Sequence, residues 1–119
     1  MVFEVVDITV LQTEAERFCR FLTERSVSKE SVFNSRLVFN ELVGNVLKHA
    51  RGIATVHSEV KDGFVEVRVY SNKRYIPPKT SSLVGVMEEH GRGLFLVDSV
   101  CEERTFTQDG AIYVKLRIQ

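Results

Sequence analysis

The period of the hydrophobic positions changes several times along the chain, and each change marks an element. Residues 2–10, VFEVVDITV, hold β-branched side chains in a strand-like run. TEAERFCRFLTER follows, with Thr13 and Glu16 at the spacing of a capping box, and predicts a helix over about 14–25. Ser28 is placed to cap a second, longer helix over about 29–50, closed by Arg51 and Gly52, with Gly52 as the expected stop. The period then drops to two. IATVHSEV, the turn signal KDG and FVEVRVY predict a β-hairpin over about 53–70.

Residues 71–90 carry two prolines and no sustained period, and irregular stretches of this length inside a small domain often cover a site. GRGLFLVDSV reads as a glycine turn at 91–93 feeding a helix. The last segment, EERTFTQDGAIYVKLRI, predicts a second hairpin turned at QDG, with Ile112, Val114, Leu116 and Ile118 on one face. Strand, helix, helix, hairpin, loop, helix and hairpin in that order imply an α+β fold. The expected architecture is a two-layer sandwich, with helices on one face of a mixed, mostly antiparallel sheet.

Composition narrows the function classes. At 119 residues the chain is expected to form one domain with one core. Lys plus Arg and Asp plus Glu are both 16, so the balance argues against a large basic footprint for nucleic acid or an anionic membrane. A protein partner or a small ligand is the expectation. No apolar run reaches the roughly 18–20 residues of a membrane span, and the first ten residues lack the basic start of a signal peptide, so a cytoplasmic protein is expected. Cys19 and Cys101 lie far apart without a C-x-x-C pattern and read as packed free thiols.

Candidate chemistry centres on NELVGNVLKHA, residues 40–50. At 100° per residue, Val38, Phe39, Leu42, Val43, Val46, Leu47 and Ala50 spread across roughly half the helix and form its core face. Glu41, Asn45 and His49 fall at roughly −60°, −20° and +20° on the same wheel, a strip along the edge of that face. A carboxylate, an amide and an imidazole side by side at a buried edge need partners. In the plain reading Glu41 is solvated, Asn45 caps a loop and His49 sits near a helix C-terminus that favours its cation. In the functional reading Glu41 is a general base and Asn45 an oxygen ligand for Mg²⁺, which keeps several waters when it bridges to phosphates.

HGRGLFLVDSV carries the second signal. Gly91 and Gly93 permit close backbone approach just before a helix whose free N–H groups favour an anion, and Arg92 stands between them. Alone, this pattern also fits a plain loop. The P-loop and Rossmann patterns are both absent.

Together and in this order, ELVGNVLKHA resembles the N-box of the GHKL ATPase superfamily and HGRGLFLVDSV resembles its second glycine box. The resemblance covers about residues 8–118 and is nearest to the stand-alone anti-sigma factor serine/threonine kinases of bacteria. It implies a Bergerat fold holding ATP and Mg²⁺ between the N-box helix and a lid over about 71–90. Glu41 then looks like the catalytic carboxylate, Asn45 like the Mg²⁺ ligand, and His49 like the residue closing the box. Gly91, Arg92, Gly93 and Leu94 look like the phosphate-side segment. One place departs from the family: its D-x-G-x-G is replaced by SNKRY, so Ser71 stands where the adenine-binding Asp is usual, with Asn72 next.

The resemblance further implies transfer of the ATP γ-phosphoryl group to a small regulatory protein. A sigma factor and an anti-anti-sigma protein of the STAS type would be the partners, and a homodimer is implied by the same analogy. The alternative expectation is a non-catalytic regulator of the same fold that binds protein and has weak or degenerate nucleotide binding. His57, mid-strand, and His90, beside the glycines, carry no assigned role.

Overall fold

A computed structural model of the chain describes residues 1–74 and 89–119, without the side chains of 89–92. Of the lid expected over about 71–90, residues 75–88 lie outside the described residues. The elements are β1 (Val2–Val5), a short tight helical turn (Ile8–Val10), α1 (Leu11–Glu24), α2 (Lys29–Asn45), β2 (Ala54–Lys61), β3 (Phe64–Ser71), α3 (Glu89–Val100), β4 (Glu103–Phe106) and β5 (Ile112–Arg117). The five described strands form one sheet in the order β1-β2-β3-β5-β4. Every pairing in it is antiparallel, which corrects the mixed sheet expected from the sequence. Two of the pairings, β2–β3 and β4–β5, are hairpins, in which a short turn returns the chain beside itself in the opposite direction.

The β2–β3 turn falls on Asp62 and Gly63, with φ of 54° and 81°. Two consecutive positive φ values match the right-handed twist of the flanking strands, and Asp-Gly is the pair that tolerates them. The register sets Val56 opposite Val69 and Ser58 opposite Val67, so one face of β2 and β3 is buried at alternate positions. Ile112, Val114 and Leu116 extend that face across β5, as the sequence predicts.

Against this face lie the helices, an α+β arrangement compatible with a two-layer sandwich. Val38, Phe39, Leu42, Val43 and Val46 of α2 are buried, which is the arc the wheel picks out. Phe39 stacks on Phe18 of α1 at 4.9 Å between ring centroids, and Phe3 of β1 meets both rings edge-on at 5.7 and 6.0 Å. Offset and edge-to-face pairs of this kind lock α1, α2 and β1 together. Among the described residues, no helix is long and apolar enough to cross a membrane.

One helix start differs from expectation. α1 begins at Leu11, ahead of the Thr13–Glu16 capping box, because the preceding tight turn runs straight into it. Asp7 caps that turn, its Oδ1 accepting from Thr9 N at 2.9 Å. α2 starts where predicted, with Ser28 Oγ accepting from Ser31 N at 3.3 Å.

Candidate functional site

The last turn of α2 is not α-helical. From Val46 to Ala50 the ladder widens to a π-turn, and Arg51 ends it with φ 54°, its N–H donating to Val46 O. The sequence assigned this stop to Gly52, but the left-handed residue is Arg51. Gly52 meets a different need. A Cβ there would lie 2.5 Å from Asn72 Oδ1 and 3.1 Å from Ser71 Oγ, so only a glycine lets the end of β3 come this close.

Glu41, Asn45 and His49 line one cavity, as the strip on the wheel requires. Ile8 and Leu11 form its apolar wall, and Asn40, Gly44 and Lys48 complete it. Its volume is about 130 Å³. Small-molecule pockets are typically about 300–1,000 Å³, so this hollow has room for a group of phosphate size and not for a whole nucleotide.

Glu41 is half-buried at the cavity wall and His49 is exposed at its rim. Asn45 is only 6% exposed, and its Nδ2 has no hydrogen-bond partner among the described residues. A buried amide left unpaired costs on the order of 1–3 kcal/mol. A half-turn of the amide exchanges its nitrogen and oxygen, so either a donor or an acceptor can stand at that position.

α3 brings the second motif to the first. A Cβ on Gly93 would collide with Glu41 Oε2 and lie 3.2 Å from Glu41 Cδ, so the glycine backbone rests directly against the carboxylate. The expected turn at 91–93 is corrected: these residues lie inside α3, which starts at Glu89. Four residues after Glu89, the N–H of Gly93 is committed to the helix ladder. Gly93 is needed for close approach and not as an amide donor. Leu94 is 1% exposed and packs in the core with Val97, three residues on, so its side chain does not line the cavity. The Arg92 side chain lies outside the described ones.

Ser71 and Asn72 do not join the cavity lining. Asn72 Oδ1 accepts from Ile53 N at 2.7 Å, and Ser71 Oγ accepts from Lys73 N at 3.1 Å while donating to Lys73 O at 2.5 Å. Short polar side chains at a strand end satisfy nearby backbone groups in this way, which is why both turn onto the chain itself.

α3 is fixed to the sheet by Arg104 of β4, whose Nε donates to Asp98 Oδ1 at 2.6 Å and whose Nη2 donates to Oδ2 at 3.1 Å. Cys101, beside this pair, has its thiol pushed up to about 12, first by burial and then by the Asp98 carboxylate. It is therefore protonated at neutral pH and chemically quiet. Labelling of the native protein with a disulfide reagent at pH 8 is expected to be far slower at Cys101 than for free cysteine, and rapid stoichiometric labelling would contradict the burial. The unfolded thiol ionises near pH 8.5 while the folded one stays neutral, so Cys101 contributes stability below about pH 8.5 that is lost as pH rises towards 12.

Asn40, Gly44, Lys48, Ile8 and Leu11 were not singled out from the sequence as site residues. Only Gly44 had left a signal there, as an isolated glycine inside a helical pattern. Compared with protein-family models the chain matches none, and no curated protein matches it either.

Proposed function

We propose that the chain is an ATP-binding serine/threonine protein kinase of the anti-sigma type, built on a Bergerat fold. It passes the γ-phosphoryl group to a small regulatory protein. The observation that carries this reading is the meeting of the two motifs: Glu41 and Asn45 share a cavity, and Gly93 rests on the Glu41 carboxylate.

The residues present fit a magnesium nucleotide. Asn45 has an unpaired buried amide, and the hollow beside it suits a phosphate end. Mg²⁺ bound with ATP supplies positive charge that offsets the charge on the phosphates. Asn45 would hold the cation through its amide oxygen. Glu41 takes the proton of the acceptor hydroxyl, and Gly93 keeps the carboxylate against α3 with little freedom to swing away. A sigma factor and a STAS-type protein are the proposed partners by resemblance, as is a homodimer.

A second reading, a protein-binding regulator with degenerate nucleotide binding, is favoured by one observation. Ser71 and Asn72 spend their oxygens on local backbone, leaving no acidic acceptor for an adenine amino group at that place. Thermal melting with ATP and Mg²⁺ separates the two. A ligand at about 100 times its Kd stabilises the native state by about 2.7 kcal/mol, which reads as a clear rise in Tm. No shift at millimolar ATP removes the kinase reading and leaves the regulator.

A further inference from the structure

Gly52, Gly63, Gly93 and Gly110 each have a structural reason for being glycine. Gly63 and Gly110 sit at φ of 81° and 89°, and a Cβ at Gly52 or Gly93 would collide with a neighbour. Gly44 has neither reason. Its φ is not positive, it is buried within α2, and a Cβ built on it meets no described atom within 4 Å. Glycine inside a helix costs stability relative to alanine, because the chain gives up more freedom to form it. The fold therefore carries a destabilising residue at a position with room for a side chain.

That room is the cavity. Gly44 lines it together with Glu41 and Asn45, whose buried Nδ2 is unpaired. The recess at Gly44 thus opens beside a residue that carries a buried donor with no partner among the described residues. We propose that Gly44 is a specificity-determining residue: the missing side chain reserves the recess beside Glu41 and Asn45 for the phosphate end of the bound nucleotide. This rests on the nucleotide reading above. The occupant must be polar and compact, since the recess lies between a carboxylate and an amide and the whole cavity is about 130 Å³. Any side chain at 44 narrows the space for it.

The test compares the parent chain with Gly44→Ala and Gly44→Leu, using melting without ligand and titration calorimetry with ATP and Mg²⁺. Gly44→Ala is expected to raise Tm by about 3–5 °C without ligand, because helix propensity improves and nothing is displaced. The same change is expected to weaken MgATP binding at least about tenfold, and leucine to abolish it. Equal affinity in the parent and Gly44→Ala overturns the role of Gly44 while leaving the nucleotide reading intact. A lower Tm or a failure of Gly44→Ala to fold also overturns it, since the glycine would then serve packing. A parent that binds no MgATP overturns both the nucleotide reading and this inference.

Discussion

Replacing Glu41 with glutamine is expected to slow phosphoryl transfer by about 10²–10⁴-fold while MgATP binding persists. Glutamine keeps the shape of the side chain, so it fills the same wall of the cavity and still lies against Gly93. An amide oxygen is a far weaker proton acceptor than a carboxylate, so the acceptor hydroxyl keeps its proton. Single-turnover transfer to a partner protein, read beside calorimetric MgATP affinity, separates the two effects. A variant that transfers at the parent rate shows that another group acts as base. Loss of binding together with transfer shows that Glu41 serves the nucleotide site as a whole.

Asp98→Ala should cost about 3 kcal/mol of folding stability, read from urea denaturation. The Arg104 side chain is only 7% exposed, and the substitution removes the carboxylate that meets it at two points. The charge then stays in a poorly solvated place without this two-point contact. The figure sits at the low end for a broken buried pair because the Asp98 side chain is 30% exposed and water partly screens it. Asp98→Asn, which retains one acceptor, should lose less. Since α3 carries Gly93 onto Glu41, loosening its hold on β4 is also expected to weaken ligand binding. An Asp98→Ala chain as stable as its parent would show that the pair is neutral in net effect.

Much of the fold was legible because its signals are local. Ser28 ahead of a helical period, Asp62-Gly63 between two alternating runs and QDG before IYVKLRI each act within a few residues, so the sequence carries them openly. The 100° wheel placed Val38, Phe39, Leu42, Val43 and Val46 inside, since a regular helix repeats its angle whatever it packs against. The same regularity put Glu41 and Asn45 on one edge, and they share a cavity.

Where the sequence misled, a distant neighbour was deciding. Gly52 looked like a helix stop, yet it is glycine because Asn72, twenty residues later, presses against it. Asn72 looked available for a ligand until the return of β3 beside Ile53 gave it a backbone partner. Leu94 looked like part of a phosphate-binding segment, but the phase of α3 turns it into the core.

By itself, then, the sequence determined the order of elements, the two hairpin turns and the polar edge of α2, all of which follow from backbone periods and turn residues a few positions apart. Tertiary structure alone decided that Gly93 would lie on Glu41, that Gly44 would open onto a recess and that Asn45 would be left with an unpaired buried amide. Those facts depend on how α3, α2 and the segment before α1 approach one another. Side-chain volume and hydrogen bonding between elements far apart in the chain set that approach, and no periodicity within a single element encodes it.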